Sequence, residues 1–199
     1  DLKNLVTCFP ASPIISVRSS PVSAEWGGPS TILNIGMNSE IEKVYSNTLG
    51  SIAARELHIK FIKSFAIEVM RLDDEIFDHI NITPEVAIDA YEQEIAECFP
   101  RTIEAQLSEV LKSMSRAWQG TSARLLRASK GAADDAGLGL VVQQMAFGLG
   151  KGESGAGVIQ FVDSDTGIKR EIGRYLSQSQ GRDALINKKA AIFLTKDER

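Results

Sequence analysis

Val141–Gly167, VVQQMAFGLGKGESGAGVIQFVDSDTG, is the stretch whose reading decides the fold. It reads as strand, glycine-rich loop, strand and tight turn. Val141, Val142, Met145 and Phe147 suit one buried strand, and Val158, Ile159, Phe161 and Val162 suit a second. Between them Gly148, Gly150, Gly152, Gly155 and Gly157 allow close backbone approach. Asp165-Thr166-Gly167 then closes a hairpin onto Ile168–Leu176. Such a loop beside a buried strand can lay backbone N–H groups against phosphates. Shape alone favours a plain β-meander.

Upstream of this stretch, Ile14-Ile15-Ser16-Val17-Arg18 reads as a short strand between Pro13 and Ser19-Ser20-Pro21. A loop Glu25-Trp26-Gly27-Gly28-Pro29 follows, with Pro29 placed to start a short helix over 30–36. From Ser39 to about Ser129 the pattern is helical. Ser39 with Glu42 forms a capping box, and Leu57, Phe61, Ile62, Phe65, Val69 and Leu72 make an amphipathic stripe. Thr83-Pro84 starts another helix, which Pro100 ends. Ile103, Leu107, Val110, Leu111 and Met114 share a face of the next. After a break at Gln119-Gly120, Ala123, Leu125, Leu126 and Ala128 mark the apolar residues of the last.

Lys130–Gly139 reads as a linker, Gly181-Arg182-Asp183 as a turn and 190–195 as a final strand. The expected class is α+β. β-containing pieces at 1–37 and 134–199 flank a helical subdomain over 38–133, with Leu2, Leu5, Val6 and Phe9 leading towards the first strand. Starting at Asp1, within an element, the chain reads as a piece of something longer.

With 199 residues, 43% hydrophobic and 24% charged, the chain can bury a real core. A net charge of −4 argues against a general nucleic-acid binder. Cys8 and Cys98 are too few for a disulfide framework or zinc site and read as free thiols in a reducing cytoplasm. No apolar run is long enough to span a membrane.

Of the two histidines, His58 falls in the apolar stripe and reads as packed, and His79 as solvated. Neither has metal-ligand spacing, so no metal ligand is assigned, nor any catalytic residue. Asp73-Asp74-Glu75 and Asp134-Asp135 read as solvated faces, turns or caps. Arg18 stands apart. A guanidinium at a strand end, followed by two serines and a glycine loop, suits an anion, because its fork matches phosphate oxygens. A surface ion pair accounts for it equally well.

Here a family resemblance bears on the choice. Ser16-Val17-Arg18-Ser19-Ser20 followed by 31–38, TILNIGMN, resembles S-V-R-S-G-A and T-V-L-N-L-G-L-N of pyruvate, phosphate dikinases. Phe61-Ile62 with Phe65, and Ala117-Trp118 with Arg124, match helices of that family. Asp134-Asp135-Ala136-Gly137 leading into 142–148, VQQMAFG, is similar to P-D-D-W-G leading into V-Q-x-M-V-F-G. Ser154–Val158, Asp163–Gly167, Gly173, Tyr175-Leu176, Gln180-Gly181 and Asp183 continue the likeness, which covers about residues 14–183.

The resemblance implies part of an ATP-grasp fold, its antiparallel lobe carrying the helical insertion. Arg18 would hold the nucleotide phosphates, and Lys60 would stand near them. Gln143, Gln144 and Met145 would form the wall against which adenine stacks and hydrogen-bonds. Asp183 would lie near the ribose and phosphates. The parent would use ATP and Mg2+ to phosphorylate a histidine on the way to phosphoenolpyruvate. The partners of this piece would be the rest of that polypeptide, a histidine domain and a pyruvate-binding barrel, with no nucleic acid and no membrane.

Departures are equally plain. The family's M-P-G-M-M-D loop is replaced by 25–30, EWGGPS, and Arg174 and Arg182 stand where the family has acids. Those reversals change the local charge by about four units. The nucleotide lysine, the magnesium carboxylates and the L-Q-x-R strand of the family fall outside the chain. The chain by itself is therefore expected to be inactive. A degenerate scaffold or nucleotide sensor is the alternative, and phosphoenolpyruvate synthases and glucan-water dikinases share the expected fold.

Overall fold

The computed structural model describes residues 2–78, 82–180 and 192–193. It is a mixed structure of helices and antiparallel strands. In chain order these are α1 (Leu2–Val6), β1 (Ile15–Ser20), β2 (Ile32–Ile35), α2 (Ser39–Leu49), α3 (Ser51–Ser64), α4 (Pro84–Ile95), α5 (Ile103–Gln119), α6 (Thr121–Ser129), β3 (Gly139–Gln144), β4 (Gly155–Val162), β5 (Lys169–Ser177) and β6 (Ile192–Phe193). The chain divides into two compact units. One holds residues 1–44 and 54–145, the other 45–53 and 146–199. The sheet of β1–β3 and most of the helices thus share one unit.

In the first unit the strand order is β2-β1-β3, all antiparallel. Successive side chains of a strand face opposite ways. Ile15 and Val17 are accordingly buried while Arg18 is exposed. The expected helix over 30–36 is instead β2. Ile32 pairs with Val17 and Ile35 with Ile15, so the four-residue run gains a ladder and buries Ile32, Asn34 and Ile35. Tertiary pairing outweighs the helix-start signal of Pro29.

The helical stripe is as the spacing predicts. Leu57, Phe61, Ile62, Phe65 and Val69 are all buried, α3 passing into a π-helical turn at Phe65–Val69. Phe61, Phe65, Tyr91 and Phe99 form an aromatic cluster with ring centroids 5.1–6.2 Å apart. These tilted and edge-on contacts each add about 0.5–1.5 kcal/mol beyond area burial. Thr83 caps α4, accepting from the Val86 N–H, with Pro84 in the first turn. That helix ends at Ile95 through left-handed Ala96, before Pro100 is reached.

Two helical expectations change. The cap of α2 is Asn38 rather than Ser39, its Oδ1 accepting from the N–H groups of Glu40 and Ile41. This moves the helix frame by one residue, and Glu42 pairs with His58 instead of closing a box. In α6 the apolar residues are outside, Leu125 at 66% and Leu126 at 45% exposure, and Arg127 is the buried residue. Its guanidinium stacks 3.7 Å from the Trp118 ring centroid and donates to the Trp118 carbonyl at 2.8 Å. The positive charge thus sits at the carbonyl end of α5, where the helix dipole favours it.

The second unit is built on a sheet of order β4-β5-β6. The hairpin between β4 and β5 is closed by Asp163, which accepts from the N–H groups of Asp165 and Thr166, both at 3.0 Å. Two expectations are corrected here. β3 lies in the first sheet, paired with β1, so 141–176 is not one meander. β4 is not buried: it is an outer strand of its sheet, with Val158 39% and Phe161 62% exposed. The apolar residues Val158, Ile159, Phe161 and Val162 report β propensity but not which layer will cover them. Ile192–Phe193 lies within the expected final strand; the turn at 181–183 falls outside the described residues.

Candidate nucleotide-binding face

Register places the residues singled out at the start of the chain beside those singled out after the helices. In the β1/β3 pairing Ser16 faces Gln143 and Arg18 faces Val141. Directly opposed residues of antiparallel strands project from the same side. Ser16, Arg18, Val141 and Gln143 therefore share one side of the sheet, opposite the buried Ile15 and Val17. The Ser16 hydroxyl also reaches the Gln143 carbonyl at 3.4 Å.

The ladder alternates between hydrogen-bonded and non-hydrogen-bonded pairs. Met145 donates its N–H to the Ile14 carbonyl at 2.9 Å, which sets the phase. Gln143 and Val141 then direct their backbone groups to β1, and Gln144 and Val142 direct theirs to the outer edge of β3. Among the described residues that edge is unpaired. Gln144 thus offers one N–H and one C=O side by side, the pattern a heterocyclic base edge reads. Met145 is turned inward, its Sδ accepting from the Asn34 N–H at 3.1 Å.

The loop after β1 is held down beside Arg18. Ser19 donates its hydroxyl to the Pro29 carbonyl at 3.0 Å, and a Cβ on Gly28 would come within 2.5 Å of that hydroxyl oxygen. Gly28 is therefore required by close approach rather than by a ligand. Ser23 caps the short turn Ala24–Trp26.

Other sequence-predicted residues stand as follows. Lys60 is on the exposed side of α3, next to buried Phe61. Asp183, Arg182 and His79 lie outside the described residues. Arg174 is on β5, in register with Val158 and 5.9 Å from the Phe193 ring centroid. In the glycine-rich loop the Gly150 N–H is taken by the Gln178 side chain at 3.0 Å, which also donates to the Gly152 carbonyl at 3.1 Å. Gly148 approaches the Gly155 and Ser179 carbonyls too closely for any side chain. These glycines serve backbone packing. Among the described residues no group of three or more His, Cys, Asp or Glu side chains could hold a metal ion. No helix among them is long and apolar enough to cross a membrane, and Cys8 and Cys98 are exposed free thiols.

Sequence reasoning missed Gln106. Fully buried, it accepts from the Gly36 N–H at 2.7 Å and donates to the carbonyls of Met37 and Pro100. It fastens the chain leaving β2 to α5; a polar residue in the apolar stripe of α5 was its only signal.

Comparison with known proteins finds pyruvate, phosphate dikinases. The protein of Rickettsia typhi is 26% identical over 192 residues, covering 85% of this chain and 22% of its own length. That of Rickettsia bellii is 23% identical over 212 residues, covering 93% and 24%. The chloroplastic protein of Flaveria trinervia is 26% identical over 199 residues, covering 88% and 21%. The chain therefore spans less than a quarter of the length of these relatives. No protein-family model matches it.

Proposed function

We propose that this chain is the nucleotide-facing part of an ATP-grasp domain in a pyruvate, phosphate dikinase-like phosphotransferase. The observation that carries this reading is the common side of Arg18 and Gln143 on one sheet, beside the open edge of β3. Phosphoryl transfer depends on oriented phosphates and charge stabilisation more than on covalent help from the protein. Arg18 would supply a bidentate cation for the phosphates, the Ser16 hydroxyl a further donor, and Gln144 the backbone pair for adenine. Lys60 and Asp183 belong to the same proposal through the family likeness.

Metal-bound phosphates would need carboxylates from elsewhere in a longer polypeptide, as would the histidine and pyruvate steps. The chain alone would then bind adenine nucleotide weakly and turn over none. Calorimetry with ADP and ATP, with and without Mg2+, tests this. Weak binding lost in Arg18→Ala supports it. Binding unchanged by that substitution overturns it, and so does ATP turnover by the wild-type chain that Arg18→Ala abolishes. Arg174, drawn to Phe193 where the family carries an acid, favours a second reading as a non-catalytic nucleotide sensor. The same titration in a full-length polypeptide separates the two, since a sensor binds without turnover.

A further inference from the structure

A cavity of about 510 Å³ opens in the first unit between the starts of α2 and α5, and it plays no part in the proposed nucleotide site. Asn38 ties those two starts together. Its Oδ1 caps α2 through Glu40 and Ile41, and its Nδ2 donates at 3.0 Å to the carbonyl of Arg101, just before the Thr102 cap of α5. The walls combine apolar Ile88 and Phe99 with Arg101, Glu40, Glu104 and His58.

The charges of this cavity are held apart. Among the described residues, Arg101, Glu40 and Glu104 form no ion pair although they line the same space. His58 is 1% exposed and its Nδ1 lies 2.7 Å from the Glu42 carboxylate. A carboxylate accepts, so Nδ1 donates to it.

A simple anion would meet two carboxylates, and a simple cation would meet a guanidinium and two positive helix ends. An uncharged apolar molecule would strip water from charges without replacing it. We propose that the cavity between α2 and α5 binds a free apolar α-amino acid. Its carboxylate goes to Arg101, its ammonium to the Glu40 and Glu104 carboxylates, and its side chain lies against Ile88 and Phe99.

Calorimetry of the chain with L-phenylalanine and L-leucine is the test. Phenylpyruvate, which lacks the ammonium, and phenethylamine, which lacks the carboxylate, serve as single-charge probes, with inorganic phosphate alongside. Saturable binding of the amino acids is expected, at least about tenfold weaker for either single-charge probe, since a charge-assisted hydrogen bond is worth about that factor. Arg101→Gln and Glu104→Gln, both surface changes, should each weaken it comparably with the circular dichroism spectrum unchanged. No amino-acid binding overturns the proposal. So does equal binding of phenethylamine or phenylpyruvate, or binding of phosphate alone. ATP binding is read separately, so neither result bears on the nucleotide site.

Discussion

Arg18 stands directly across from Val141 in the β1/β3 ladder, so a residue near the start of the chain shares its strand pair with one 123 positions later. The exposed guanidinium lies on the side opposite the core of Ile15 and Val17. Arg18→Ala should therefore leave stability within about 0.5 kcal/mol, as surface changes do. ADP binding should fall about tenfold or more by calorimetry. Equal loss of stability and binding would make Arg18 a structural residue.

The open edge of β3 gives an independent check. Gln144→Pro removes the outward N–H while leaving the bonds directed to β1, because Gln144 occupies a non-hydrogen-bonded position. Adenine nucleotides should lose affinity, and inorganic triphosphate should not. A matched loss for both would take adenine away from this edge.

Gln106→Leu should be severe. It leaves the buried Gly36 N–H without its partner and the carbonyls of Met37, buried, and Pro100, part-buried, without a donor. Each unsatisfied group costs about 1–3 kcal/mol, so a loss of about 3 kcal/mol or more is expected in urea unfolding. A loss under about 1 kcal/mol would mean that water replaces the side chain.

Arg127→Leu removes the guanidinium stacked on Trp118 and its bond to the Trp118 carbonyl. Stacking and charge-assisted bonding together suggest a cost of about 2–4 kcal/mol. Arg127→Lys should recover little, since an ammonium has no flat face to lay on the indole. Full rescue by lysine would leave charge alone as the cause.

Burial in the aromatic cluster pushes the Tyr91 hydroxyl from its ordinary value of 10.0 up to about 12, with Glu97, Glu109 and Glu92 adding to the effect. The unfolded chain therefore loses this proton first as pH rises. Stability is complete below about pH 10 and falls as pH climbs towards 12. In Tyr91→Phe that part of the alkaline decline should vanish from the denaturation midpoint against pH, and an unchanged slope would assign it elsewhere.

The helical stripe from Leu57 to Val69, the Thr83-Pro84 start and the β4/β5 hairpin were legible because each rests on contacts a few residues apart. Periodicity and cap chemistry report those directly. The β1/β3 pairing was not legible, since nothing local in Ser16-Val17-Arg18 names a strand partner beyond the five helices α2 to α6; the family likeness only put Arg18 and Gln143, Gln144 and Met145 at one nucleotide site. Strand identity for 32–35, Arg127 under Trp118 and the His58–Glu42 pair were not legible. A segment as short as Ile32-Leu33-Asn34-Ile35 has no readable period, and a charged residue carries no mark of the ring or carbonyl that will shelter it.

The order of the chain by itself determined where α4 begins, which faces of α3 and α5 go inward, and that Arg18 precedes a loop suited to close approach. Only the tertiary structure decided which strands share a sheet, which polar groups are buried with partners, and that β4 stays outside. Those outcomes are settled by long-range pairing and burial, whose free energies depend on neighbours that no stretch of sequence contains.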